Sequence, residues 1–158
     1  MNQELITQQE EKINLLTHLL IKSEDGVNII GNGRDIVHHE SVPLKHSFAD
    51  QIYIRQMNMS KDTMVVGAIH KDLHVWFLLT GNLTVATKEN VEEYIAPCYV
   101  VSKPGTQRVI YANEDSIFVN IHKNPNNITD IDTLEKQLVA MSKEEYEEHL
   151  KNKTIWAW

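Results

Sequence analysis

The stretch TMVVGAIHKDLHVWFLLTGNLTVAT, residues 63–87, decides the fold. Its β-branched and aromatic residues form short runs, and Thr80-Gly81-Asn82 interrupts them with turn chemistry. The same rhythm extends on both sides. It predicts strands over 51–57, 63–69, 70–79, 82–87, 91–95, 99–102, 107–112 and 116–122, each bounded by polar, Gly or Pro residues. Strands recurring at this pace leave no room for crossover helices. Antiparallel hairpins that close on themselves are the simplest solution.

Outside this zone the pattern changes. Ile6, Ile13, Leu16 and Leu20 recur at helical spacing, which predicts an N-terminal amphipathic arm over 1–25, ended by Ser23-Glu24-Asp25-Gly26. After the loop Asn124-Pro125-Asn126-Asn127, Ile131, Leu134 and Leu138 predict another helix. Ser142 with Glu145 three residues later predicts a helix start near Lys143. The organisation expected is an N-terminal arm over 1–25, a β-barrel over 33–123, and a C-terminal helical arm with a tryptophan tail over 124–158. Trp156 and Trp158 are costly to leave in water and predict docking onto the barrel or a neighbouring subunit.

Composition narrows the function. A formal charge of -7 across 158 residues, with no Lys/Arg stripe, argues against nucleic acid and against an anionic membrane surface. No run approaches the ~20 apolar residues of a membrane span. The first residues lack a basic n-region, so no secretion signal is expected. Cys98 is the single cysteine, which excludes an intrachain disulfide and a cysteine zinc site. Cys98 reads as a small apolar residue rather than a nucleophile. There is no Gly-rich phosphate loop, Gly-x-Ser-x-Gly elbow or His-Glu-x-x-His helix.

The chemistry-bearing segment is His70-Lys71-Asp72-Leu73-His74. On one continuous strand His70, Asp72 and His74 share a face, and Leu73, Val75 and Phe77 share the other. Imidazoles with a carboxylate at this spacing suit a divalent first-row metal such as Zn, Fe, Mn or Ni. His122 closes the last strand on the face of Phe118 and Asn120 and is a further candidate ligand. Arg108 is a candidate ligand-binding residue. Exposed strand histidines are also common without a metal. His38 and His39 are neighbours pointing to opposite faces and read as structural; His18 and His149 read as solvated.

These residues resemble the cupin superfamily. In its first motif Gly81 fits the final glycine, His70 the second histidine slot and His74 the glutamate slot, while Ala68 falls in the first histidine slot. In its second motif Gly105 fits, Pro104 and Asn113 are displaced by one, Pro97 falls where a glycine is expected, and Arg108 occupies the histidine slot. The fold class implied is all-β: a single cupin-type barrel, a double-stranded β-helix or jelly roll, with an N-terminal helix and a C-terminal helical arm. An arginine stays protonated and does not ligate a metal, but it can hold a carboxylate or phosphate.

Three stretches, 66–70, 96–108 and 121–138, further resemble small single-cupin proteins of tailed bacteriophages. That resemblance implies a virion-associated structural module, assembled as a homo-oligomer or with other virion proteins, in the virion or host cytoplasm. The alternatives are a small metal-dependent cupin enzyme, such as a dioxygenase or isomerase, or a cupin that binds an anionic small ligand without catalysis. The degraded ligand slots place the structural module first.

Overall fold

The computed structural model describes residues 3–22 and 42–155. The expected loop at Ser23–Gly26, the pair His38-His39 and the tail from Trp156 to Trp158 lie outside the described residues, as does the side chain of His18. In chain order the elements are α1 (Gln3–Lys22), β1 (Leu44–Ala49), β2 (Ile52–Met59), β3 (Met64–Val66), β4 (Ile69–His70), β5 (His74–Thr80) and β6 (Asn82–Ala86). Then follow β7 (Val91–Ile95), β8 (Cys98–Ser102), β9 (Val109–Ala112), β10 (Ser116–Lys123), α2 (Ile131–Leu138), β11 (Val139–Ala140) and α3 (Lys143–Ile155).

Two antiparallel sheets face each other. One has the order β1-β2-β10-β5-β8 and the other β3-β9-β6-β7. Alternation along each strand fills the space between them. Met57, Met59, Trp76, Leu78 and Phe118 come from the first sheet, and Val65, Leu83, Val85, Ile110 and Ala112 from the second. This is the all-β antiparallel barrel that the turns and apolar runs predict, with the single jelly-roll layout that the resemblance implies.

Gly81 carries the β5–β6 turn at φ +89°. A Cβ there would collide with Ser116 Oγ and lie 2.5 Å from the Asp115 carbonyl oxygen. Glycine is therefore required twice, by conformation and by space.

α1 packs on the outer face of the four-stranded sheet at its β3–β9 end. Ile13 seats against Val66 and Val109. Flanking ion pairs from Glu10 to Lys88 (3.9 Å) and to Lys143 (3.7 Å) are partly exposed. Such pairs contribute roughly 0–1 kcal/mol each, whereas burying one isoleucine contributes about 1.5–3 kcal/mol. Apolar packing therefore sets the position of the helix.

Three local differences from the sequence reading have physical causes. First, the predicted strands over 63–69 and 70–79 are β3, β4 and β5. The chain leaves β3 at Gly67, whose N–H donates to the Arg108 carbonyl at 2.8 Å. It then pairs His70 with Val139 and Ile69 with Ala140. Second, β1 lies outside the predicted strands. Its sequence LKHSFA is half polar because, among the described residues, it is an edge strand bonded to β2 alone. Third, the Ser142 motif closes differently from a standard box. Ser142 Oγ accepts from Glu145 N at 3.1 Å, but the Glu145 carboxylate accepts from Met141 N at 2.9 Å. The helix over 131–138 starts on Asp130, whose carboxylate accepts from Thr133 N at 2.9 Å.

Gly81→Ala is expected to destabilise the barrel by about 1–3 kcal/mol or more, since both strain and overpacking oppose it. Urea denaturation monitored by tryptophan fluorescence measures the shift in midpoint.

Candidate metal centre

Three strands deliver three histidines to one place. His74 opens β5, and its register partner on β8 is Ser102. His122 comes from β10, where Asn120 pairs with Trp76 and Ile121 with Val75. Two residues beyond Asn120, His122 therefore lies beside His74 on the inner face. His70 arrives from β4, held from outside the main sheets by β11. The candidate ligand atoms of His70, His74 and His122 all lie within 4.8 Å of one another. The rings stack, with centroids 4.0 Å apart for His70–His74, 4.9 Å for His74–His122 and 5.4 Å for His70–His122.

Asp72 does not join them. Residues 71–73 are not a strand, so the alternation that would place Asp72 beside both histidines is broken. Its carboxylate accepts from Lys153 Nζ at 2.9 Å on the surface. Asp72 serves the site through its backbone instead: His74 Nδ1 lies 3.2 Å from the Asp72 carbonyl oxygen. A carbonyl only accepts, so this contact fixes the proton of His74 on Nδ1 and leaves Nε2 as an acceptor. Arg108 Nη2 donates to that nitrogen at 3.2 Å and also to Ser102 Oγ.

All three imidazoles are neutral at neutral pH. Burial lowers His122 to about 3, helped by the positive groups around it, and lowers His74 to about 4, with Arg108 adding to the effect. The hydrogen bond to the Asp72 carbonyl opposes part of the His74 shift. Burial likewise takes His70 well below its usual value, reinforced by His74 and Arg108. Neutral imidazole is the ligand form.

The donor set fits a metal by a further sign. His70 Nδ1 is buried and has no hydrogen-bond partner among the described residues. Asn120 Oδ1 is in the same condition, and both residues line a cavity of about 60 Å³ with Arg55, Glu135 and Arg108. Arg55 and Glu135 form a largely buried ion pair at 3.2 Å, which brings α2 over this end of the barrel. At ~2.0–2.1 Å per metal–nitrogen bond, two imidazoles on one ion lie at most about 4.2 Å apart. The three histidines are thus gathered, and they must draw in slightly to close on an ion.

A larger cavity of about 310 Å³ adjoins the site, lined among others by Trp76, Val85, Tyr94, Val100, Ser102 and Arg108. That volume is at the lower end for a small-molecule pocket. Arg108 lines both cavities and stands between the histidines and the larger one.

The remaining candidates fall elsewhere. Cys98 is partly buried against the core beside Leu78, and burial raises its thiol. His149, expected to be solvated, is half-buried beside Tyr146, with ring centroids 6.3 Å apart. Sequence reasoning missed Ser102 and the Arg55–Glu135 pair. Strand alternation from Trp76 and Val100 marks Ser102 as inward-facing, but nothing local in the sequence couples Arg55 to a residue eighty positions away.

No protein-family model and no curated protein matches the chain. Solved structures of similar fold include KdgF from Halomonas sp., at 10% identity and TM-score 0.48, covering 54% of this chain and 82% of that one. An RmlC-like cupin from Shewanella frigidimarina is 12% identical at TM-score 0.48, covering 56% of this chain and 80% of that one. A cupin 2 domain-containing protein from Halorhodospira halophila is 19% identical at TM-score 0.48, covering 55% of this chain and 68% of that one. Likeness at these identities concerns the fold alone. Among the described residues no helix is long and apolar enough to cross a membrane.

The depressed histidines set a pH dependence. In the unfolded chain they take up protons near pH 6.5, while in the folded chain they stay neutral down to about 4 for His74 and about 3 for His122. The unfolded state therefore binds more protons in that window, and metal-free protein loses stability as pH falls from about 6.5 toward 4. Each such histidine contributes up to about 1.4 kcal/mol per pH unit. His122→Phe is expected to flatten the slope by about one proton, measured from urea midpoints between pH 4 and 7 in EDTA.

Proposed function

We propose that the barrel is a divalent-metal centre that binds a small molecule in the adjoining cavity. The metal is held by His70, His74 and His122. The observation that carries this reading is the convergence of three neutral imidazoles, from three separate strands, within 4.8 Å. A purely structural barrel has no need to bury three histidines and leave His70 Nδ1 without a partner. An all-imidazole donor set favours zinc, iron or nickel over manganese, which prefers carboxylates. A bound ion supplies Lewis acidity toward an oxygen atom of the ligand. The chain's own residues do the rest. The Asp72 carbonyl orients His74, Trp76 and Tyr94 wall the cavity, and Arg108 presents a fixed positive charge to it.

A second reading, the virion-associated oligomer that the phage resemblance implies, is favoured by the outer face of β5 and β8. Leu79, Tyr99 and Val101 are 50%, 66% and 55% exposed there. The edge strand β8, CYVVS, carries no charge to discourage pairing. On this reading a second copy covers that edge.

Protein purified without a His tag and loaded with zinc, then dialysed, is expected to retain close to one metal per chain by elemental analysis. His122→Ala should retain less than about 0.1. Wild-type protein that retains none ends the metal reading. For the second reading, sedimentation velocity should give a dimer or larger species, and Val101→Lys should shift it to monomer. A wild-type monomer at all concentrations ends that one.

A further inference from the structure

Arg108 is only 4% exposed, yet among the described residues no carboxylate lies within ion-pair distance of it. Two acidic groups of this end of the barrel are committed elsewhere, Glu135 to Arg55 and Asp72 to Lys153. The side-chain partners of Arg108, His74 Nε2 and Ser102 Oγ, both engage Nη2. The guanidinium carbon stands 6.0 Å from the centre of the Trp76 ring. Burial weakens its hold on its proton only to about 10, so it remains a cation at neutral pH. A buried cation without an anion is costly, and this one faces a cavity of about 310 Å³.

A second observation concerns His74. Both of its ring nitrogens are engaged, Nδ1 at the Asp72 carbonyl and Nε2 at Arg108. While Arg108 donates to Nε2, that nitrogen is withheld from a metal. The three histidines also offer no negative charge, so a divalent ion among them would face the guanidinium uncompensated.

We propose that Arg108 is the receptor for the carboxylate of a small organic acid, and that this acid and the metal bind cooperatively because the acid draws Arg108 away from His74 Nε2. The coupling half rests on the metal reading above; the carboxylate half does not. A carboxylate matches a guanidinium through two parallel hydrogen bonds. The walls argue for an organic body: Trp76, Val85, Tyr94 and Val100 are apolar or aromatic. The rim argues against phosphate. Lys88 and Lys103 are balanced there by Glu89 and Glu92, which leaves a dianion the single charge of Arg108. By linkage, whatever factor the acid adds to metal affinity the metal adds to acid affinity.

The test uses the full chain, untagged and metal-depleted, titrated calorimetrically with benzoate, with its neutral isostere benzamide, with inorganic phosphate, and with Zn²⁺ in the presence and absence of benzoate. Benzoate should bind, benzamide and phosphate at least ~10-fold more weakly, and benzoate should tighten Zn²⁺ by about 5- to 150-fold. Arg108→Met should abolish benzoate binding and remove its effect on Zn²⁺, while Zn²⁺ alone still binds. Benzamide or phosphate binding as tightly as benzoate overturns the carboxylate assignment, and that contrast needs no variant. Zn²⁺ bound at one per chain with an affinity indifferent to benzoate overturns the coupling and leaves the metal centre standing. Benzoate captured by Arg108 with no Zn²⁺ bound overturns the metal centre and the coupling together.

Discussion

A full positive charge, that of Arg108, sits inside an apolar barrel with no anion beside it among the described residues, and the rest of the site is arranged around that constraint. Removing a guanidinium from water costs several kcal/mol after relaxation. Arg108 recovers part of this from Ser102 and from the face of Trp76, where a desolvated cation–π contact contributes about 2 kcal/mol. The same charge helps keep His70, His74 and His122 neutral, and it selects the acceptor form of His74 Nε2. Arg108 thus reinforces both the neutrality that burial imposes and the tautomer that the Asp72 carbonyl sets.

The C-terminal arm belongs to that chemistry. β11 bonds to β4 and fixes His70. Lys71, next to it, is buried; its ammonium donates to the Lys136 carbonyl at 2.7 Å and pairs with Glu145 at 3.4 Å. The backbone N–H of Lys71 donates to the Leu138 carbonyl at 2.9 Å. Residues 71–73 are thereby pinned, and with them the Asp72 carbonyl that orients His74. On the other edge of β4, Gly105 donates its N–H to the His70 carbonyl at 2.8 Å, and its φ of +80° lets this loop approach Tyr146 of α3, where an added Cβ would come to 3.0 Å from the phenol oxygen. Helices that read in the sequence as appendages hold both ends of the segment that carries the site.

The barrel was legible because its turns announce themselves. Thr80-Gly81-Asn82 and Lys103-Pro104-Gly105 sit where positive-φ glycines end strands, and the runs between them alternate as a half-buried sheet does. His122 could be placed on the inner face from Phe118 and Asn120 because β10 is one unbroken strand. The same rule misplaced Asp72. Alternation holds only while a strand continues, and the chain turns between His70 and His74 to pass from one partner to another. That change of partner is fixed by residues 139–140, nearly seventy positions downstream, so no local pattern records it. The edge strand β1 was hidden for a related reason: with one neighbour and a wet side, it lacks the apolar signal of the central strands. Alternation puts Leu73 on the outer side, and it is exposed there, though from a bend rather than a strand.

The pairing of β4 with β11 also gives the site an order of assembly. As the chain leaves the ribosome, His74 and His122 have both emerged, with the strands that align them, before residue 139 exists. A barrel closed at that moment holds these two imidazoles in register, and it holds His70 by one edge only, through the bonds of its backbone to Gly105 and Thr106. The second edge of β4 is filled only once residues 139–140 have been made, so the candidate ligands are gathered by the barrel first and fixed by the C-terminal arm afterwards.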